Sequence, residues 1–431
     1  MKILIKGGRV IDPASGLDRT CDVAVAAGRI VAVGDVPADF HPNKTIDASQ
    51  CVVAPGLVDL AVRLREPGHE HAHMLQSEMA AAVAGGVTSL VCPPDTDPVL
   101  DEPGLVEMLR FRSEKLHQCR VFPLGALTRG LRGEVLTEMV SLTQAGCIGF
   151  GQADVPLPTL QMLSRALQYA STFGYTVWLR PQDRDLGTGV VASGPLATRM
   201  GLSGVPVAAE TIAIFSIVEL MRSSGARVHL CRISSAAGLE LVRQAKAEGL
   251  PLTCDVSIHS LHLIDTDIGY FDSRSHLKPP LRQQRDRDAI GRALADGTVD
   301  ALVSDHSPVD EDQKTLPFAE SEAGASAVEL LLGMALKWAE SSGVDLRRAL
   351  QVLTSAPAAI MAGGNDGAPA GGAGRLVVGG VADLCVYDPQ AEWVINADTL
   401  RSQGKHTPFS GYALRAKVRC TIVGGYLAFE A

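Results

Sequence analysis

From about Val53 onward, short apolar runs rich in β-branched residues alternate with amphipathic or alanine-rich stretches of helical period. This is the pattern of parallel strands joined by crossover helices. Eight such strands are predicted, centred on Leu57 to Val62, Val87 to Cys92, Val121 to Ala126, Cys147 to Phe150, Thr176 to Leu179, Val228 to Cys231, Leu252 to Val256 and Val299 to Val303. The last repeat, RDRDAIGRALADGTVDALVSDHSP, reads as a helix, a stop at Gly297, a buried strand and a polar strand end. Eight repeats predict a closed α/β barrel of the (β/α)8 TIM type over residues 55–362. In such a barrel, chemistry sits at the C-terminal mouth. The chain ends differ: residues 1–54 and 375–431 contain hairpin-like alternation (DVAVAAGRIVAVG, VRCTIVGGYLAFE) and predict one small β-sandwich domain made from both. Residues 363–374, GGNDGAPAGGAG, follow no strand and lack the lysine of a phosphate-binding loop, so they read as a connector.

Composition narrows the function. Apolar residues make up 46% and charged residues 20% of 431, the balance of a chain with a sizeable core, and no apolar run is long enough for a membrane span. A net charge of −9 with only 4% aromatics argues against nucleic acid and anionic lipid as partners. The start, MKILIKGGRVID, is a strand and turn rather than a secretory leader, and the nine cysteines never fall in a Cys-x-x-Cys spacing. Buried reduced thiols and a cytoplasmic location are expected.

Seven segments carry a more specific signal: VAPGLVDLAVRLREPG, AAVAGGVTSLVCPPDTDP, GLSGVPVAAE, PPLRQQRDRDAI, SDHSP, KTLPF and KHTPFSGY. Together, and over essentially the whole chain, they resemble the dihydroorotase branch of the amidohydrolase superfamily. The resemblance implies closure of carbamoyl aspartate to dihydroorotate on one or two zinc ions, held by imidazole and carboxylate ligands from several strand ends.

Set against that family, the ligand positions are degenerate. The first strand of the family ends Asp-x-His-x-His, where this chain has Asp59-Leu60-Ala61-Val62-Arg63. Gln152 and Ala153 stand where the resemblance places a bridging carboxylate, Arg180 replaces the histidine of the fifth strand, and Arg232 replaces the second histidine of the sixth while His229 remains. Only Asp305 keeps a family ligand position. A methyl group and a guanidinium have no lone pair for zinc. On the substrate side Arg65 survives, Asp95 replaces an amide, Lys278 replaces an asparagine, and His259 and His262 are split by Ser260. A cluster of Arg63, Arg180 and Arg232 facing Asp305 is the expected occupant of the vacated site, with splayed solvent-facing arginines as the alternative.

Other groups are weighed on their own. His69, His71 and His73 alternate, which would put them on one face of an extended segment, but the bland reading is a solvated loop. His306 is an acid–base candidate beside Asp305, yet no serine or cysteine lies in a nucleophile motif. Cys231, next to Arg232, reads as a buried thiol.

The resemblance with these departures implies a catalytically silent dihydroorotase-like chain without cofactor, similar to the non-catalytic component that assembles with aspartate transcarbamoylase as a hetero-oligomer. Two alternatives stay open: an active zinc dihydroorotase or cyclic-amide hydrolase rebuilt on His69, His71 and Asp305, and a regulatory module whose arginines bind an anionic metabolite.

Overall fold

The computed structural model describes residues 1–363 and 372–431. Most of the segment read as a connector lies outside the described residues.

The predicted strands assemble in chain order: Leu57–Asp59, Val87–Cys92, Arg120–Pro123 continued as Gly125–Ala126, Phe150–Gly151, Thr176–Leu179, Arg227–Leu230, Leu252–Ser257 and Ala301–Val303. Every neighbouring pair is parallel. A bridge between Val62 and His306 joins the first strand's extension to the eighth and closes the ring. The third strand is interrupted at Leu124. The fourth begins later than its apolar run predicts and is only two residues long, so the following residues turn at once into the mouth.

Helices wrap the outside for reasons visible in the sequence. Leu160–Phe173 buries Leu163, Ala166, Leu167 and Ala170, the i, i+3, i+4, i+7 stripe of a surface helix. Thr159 caps it by accepting from the Met162 amide, and Gly174 ends it at φ 72°, where a side chain would be strained.

The two chain ends form one eight-stranded sheet. Leu384–Val394 pairs antiparallel with Val52–Pro55, which itself lies parallel to Lys2–Asp12. This sheet has its own core, including Ile3, Ile5, Val23, Val25, Val53, Leu384 and Ile422, separate from that around the barrel helices. No helix among the described residues is long and apolar enough to cross a membrane, and all nine cysteines are free thiols.

Candidate functional site at the barrel mouth

The mouth is built by residues that leave the strands in the left-handed region of the backbone. Arg65, Ala153, Arg232 and Asp305 have φ of 60°, 50°, 56° and 53°. Such conformations cost free energy for residues other than glycine and concentrate at functional sites.

At their centre lies Asp154, which the strand-end pattern does not single out. Arg63 Nη2 donates to its Oδ2 at 2.8 Å, Arg232 Nη2 to its Oδ1 at 2.5 Å, and Arg180 Nε lies 2.9 Å from Oδ1. Arg180 Nη2 also donates to the Asp154 carbonyl at 2.9 Å. Two further carboxylates complete the cage: Arg63 Nε donates to Asp95 at 2.9 Å and Arg232 Nη1 to Asp305 at 2.8 Å. Ser307 Oγ accepts from Arg63 Nη1 at 2.9 Å. Three guanidinium groups therefore face three carboxylates, and the cage is neutral.

The arginines of the expected cluster do converge, but Asp305 meets only Arg232, and Asp154 is the hub for all three. The carboxylate of the mouth stands one or two residues beyond Gln152 and Ala153, the positions at which the resemblance places a bridging carboxylate. Ala153, in its left-handed turn, passes the side-chain direction on to Asp154. Gln152 points elsewhere, donating to Thr128 Oγ1 and the Leu131 carbonyl at 3.0 and 2.8 Å.

Charge states follow from this packing. Burial opposes ionisation of Asp154, yet Arg232, Arg63 and Arg180 outweigh it and hold the carboxyl far below the usual carboxylate range. For Arg63, burial lowers the value, but Asp154 and Asp95 outweigh it and raise it above its ordinary value. For Arg180, burial wins and the value falls, although a guanidinium in such a pair stays charged. Asp305 is pushed up to about 6 by burial, with Asp154 reinforcing the effect and Arg232 and Arg63 opposing it.

The positions that the resemblance places near a substrate are engaged elsewhere or displaced. Arg65 turns its fork to the Pro308 carbonyl and Glu322, each at 2.8 Å. Lys278 is exposed, and its carbonyl accepts from Arg232 Nη1 at 3.3 Å. His259 is buried against Phe409, ring centroids 5.4 Å apart, with neither nitrogen partnered among the described residues; burial pushes it down to about 3. His262 binds the Met334 carbonyl at 3.0 Å. Ala61 bonds only through its own backbone: its amide donates to Asp59 Oδ1 at 3.2 Å and its carbonyl accepts from the His306 amide at 3.0 Å.

His306 departs from the acid–base expectation. Its Nδ1 accepts from the amides of Ala327 and Val328 at 3.0 and 3.3 Å, so Nε2 carries the proton and donates to Glu78 at 2.8 Å. The ring is fully buried, leaving no free nitrogen for a reaction. The histidine run is a succession of turns rather than an extended segment, with the His73 amide bonded to the Arg65-following turn at the His69 carbonyl. His71 is exposed, His69 half-buried and His73 buried, beside a cavity of about 150 Å³.

The mouth does not fit the zinc of the family. Guanidinium nitrogens have no lone pair to offer a cation, and a divalent ion would sit against three positive groups whose counter-charges are already engaged. Among the described residues, the one group with three ligand atoms within 4.8 Å of each other is His229, Cys231 and Asp255. It is already saturated: His229 Nε2 meets Asp255 Oδ2 at 2.8 Å and Nδ1 meets Thr253 Oγ1 at 2.9 Å, while Asp255 Oδ1 accepts from the Arg232 amide at 2.7 Å. Burial raises the Cys231 thiol well above its ordinary value, away from the thiolate a metal requires. The apolar strand context hid Asp255 from sequence reasoning; its work is to hold the backbone of Arg232.

Comparison with known proteins identifies the lineage. Residues 50–237 match the family model described as Dihydro-orotase-like. A "Dihydroorotase-like protein" of Pseudomonas aeruginosa is 44% identical over 431 residues, covering all of both chains. The chain belongs to the dihydroorotase-like family. Another member, named "Dihydroorotase", from Geobacter sp. strain M21, is 37% identical over 432 residues, again with full coverage of both chains. Among solved structures, the L-hydantoinase (dihydropyrimidinase) of Arthrobacter aurescens superposes with a TM-score of 0.87 at 21% identity, covering 99% of this chain and 96% of that one. That likeness shows the same fold, a barrel with a β-sandwich.

Proposed function

We propose that this family member is a catalytically silent, cytoplasmic dihydroorotase-like chain that serves as an assembly subunit for aspartate transcarbamoylase in pyrimidine synthesis. The observation that carries the first half is Asp154 clasped by Arg63, Arg180 and Arg232. An amide carbonyl needs an electrophile to be activated, and water needs a base or metal to become a nucleophile. In this mouth the carboxylates are neutralised by arginine, and His306 is locked to Glu78. The partner assignment rests on the resemblance: a framework kept while its ligand positions are replaced is what a scaffold retained for its surface would have.

A second reading, a zinc enzyme with a site rebuilt around Asp305, draws on relatives named dihydroorotase. An anion-binding module draws less support, because the guanidinium groups are already paired.

The test uses the purified chain, zinc, dihydroorotate and the transcarbamoylase catalytic chain. We expect no turnover by this chain alone and co-elution of the two proteins on size exclusion at micromolar concentration. Zinc-dependent turnover abolished by Asp305→Ala would favour the enzyme, and two separate peaks would remove the assembly role.

A further inference from the structure

A cavity that shares no residue with the cage lies on the helical wall outside the seventh and eighth barrel strands. The helices Gln284–Asp296 and Leu331–Ser342, with the single turn Ile258–His262, enclose about 430 Å³ there. Trp338 Nε1 donates to the Gly291 carbonyl at 3.3 Å and pins the two long helices together. Gly291 stands inside its helix, and a Cβ there would lie 3.5 Å from Trp338 Nε1, so the missing side chain leaves this wall open.

The polar groups of this space point to a ligand with two kinds of contact. His262 lines it, and its Nε2 donates to the Met334 carbonyl at 3.0 Å. That fixes Nδ1 as a bare acceptor, without a partner among the described residues. Burial pushes the ring down to about 4, with Lys337 and Arg287 adding to the effect and the Met334 bond opposing it, so the imidazole is neutral near pH 7. The charged side chains of the lining are Arg287, Arg292 and Asp288. Asp288 accepts from Arg287 Nε and Nη2 at 3.2 and 3.0 Å, which leaves Arg287 Nη1 over. Arg292 is exposed and has no ion pair among the described residues. The other charges of the two helices are engaged elsewhere. Lys337 lies over the Tyr412 ring at 5.0 Å, Glu340 meets Arg415 and Asp296 meets Arg243, each at 3.1 Å, and the buried Asp286 accepts from the Ala236 amide at 2.9 Å with Arg285 3.8 Å away. The lining is therefore net positive on a chain of formal charge −9.

We propose that this cavity binds a phosphomonoester of a small hydroxylated molecule, with the phosphate on Arg292 and Arg287 Nη1 and a hydroxyl donating to His262 Nδ1. Guanidinium groups present several N–H donors in a plane that matches phosphate oxygens. A fully ionised phosphate has no proton for a neutral imidazole nitrogen, so the acceptor at His262 selects an O–H elsewhere on the ligand. A volume of about 430 Å³ falls within the range of small-molecule sites. The site stands independently of the assembly role.

The test is calorimetric titration of the full-length chain with ribose 5-phosphate, ribose and inorganic phosphate, using wild type, Arg292→Gln and Arg285→Gln. Arg285 is a control on the same helix, 73% exposed and outside the lining. Ribose 5-phosphate is expected to bind saturably and ribose not at all, with inorganic phosphate and the Arg292→Gln variant each weaker by about tenfold or more. Arg285→Gln should bind as wild type. Histidine nitrogen spectra read the second contact: the Nδ1 signal of His262, assigned by its loss in His262→Gln, should shift with ribose 5-phosphate and saturate with the heat. No saturable binding of ribose 5-phosphate at millimolar concentration would overturn the site. Equal weakening in Arg285→Gln would reduce the effect to general attraction of anions and overturn it too. Inorganic phosphate binding as tightly as the ester, or an unmoved His262 signal, would remove the hydroxyl contact and with it the ligand class.

Discussion

Asp154 shows how one side chain sets the character of the whole mouth. Its carboxylate is 23% exposed, while the Arg180 and Arg232 side chains beneath it are almost completely buried. Removing it would leave three guanidinium groups facing one another with only Asp95 and Asp305 at the edges. Breaking a buried pair from one side costs about 3–5 kcal/mol, so Asp154→Ala should lower the unfolding free energy by about that much in urea denaturation. A loss well under 1 kcal/mol would mean that the arginines reach solvent instead. At this scale the sequence was readable in one direction. Arginines at strand ends were evident from the residues themselves, because they displace histidines in otherwise intact motifs. Asp154 was not, because a left-handed turn at Ala153 decides which neighbour faces inward, and nothing in an alanine announces that turn.

At the level of the strands, closure of the barrel depends on polar groups buried where the first and eighth strands meet. Asp59 Oδ1 accepts from the Ala61 and Ser304 amides, each at 3.2 Å, and Oδ2 has no partner among the described residues. Burial pushes this carboxyl up to about 7, with the Ser304 and Ala61 contacts and His306 opposing the rise. The folded state therefore prefers the protonated acid. With an unfolded value near 4, the fold loses stability as pH rises from about 4 through 7, by roughly 4 kcal/mol at most. Asp59→Asn keeps an accepting oxygen and cannot ionise. Its stability relative to wild type should improve between pH 5 and pH 8, measured by denaturant titration at each pH. Parallel profiles for the two proteins would show that Asp59 stays in one protonation state throughout. The strand order and the barrel were legible because apolar runs and turn residues repeat eight times. The break at Leu124 and the shortened fourth strand were not, because apolar character continues through both while the hydrogen-bond ladder does not.

Over the whole molecule, the barrel retains its family's framework while its mouth has exchanged one kind of electrostatics for another. A metal centre concentrates positive charge on an ion held by lone-pair donors. Here fixed guanidinium groups supply that charge, and acidic side chains complete a neutral plug. The histidine run at His69 to His73 was the one sequence feature resembling a new ligand set, and its turns separate the rings: His69 and His71 centroids lie 6.2 Å apart, with His73 buried.

The most direct measurement is metal analysis of the untagged protein after equilibration with zinc and removal of loosely bound ions, combined with anomalous scattering from a crystal so prepared. The neutral cage predicts zinc far below one ion per chain and no anomalous peak among Arg63, Asp154, Arg180, Arg232 and Asp305. A stoichiometric ion in that space, with the guanidinium groups swung aside, would contradict it.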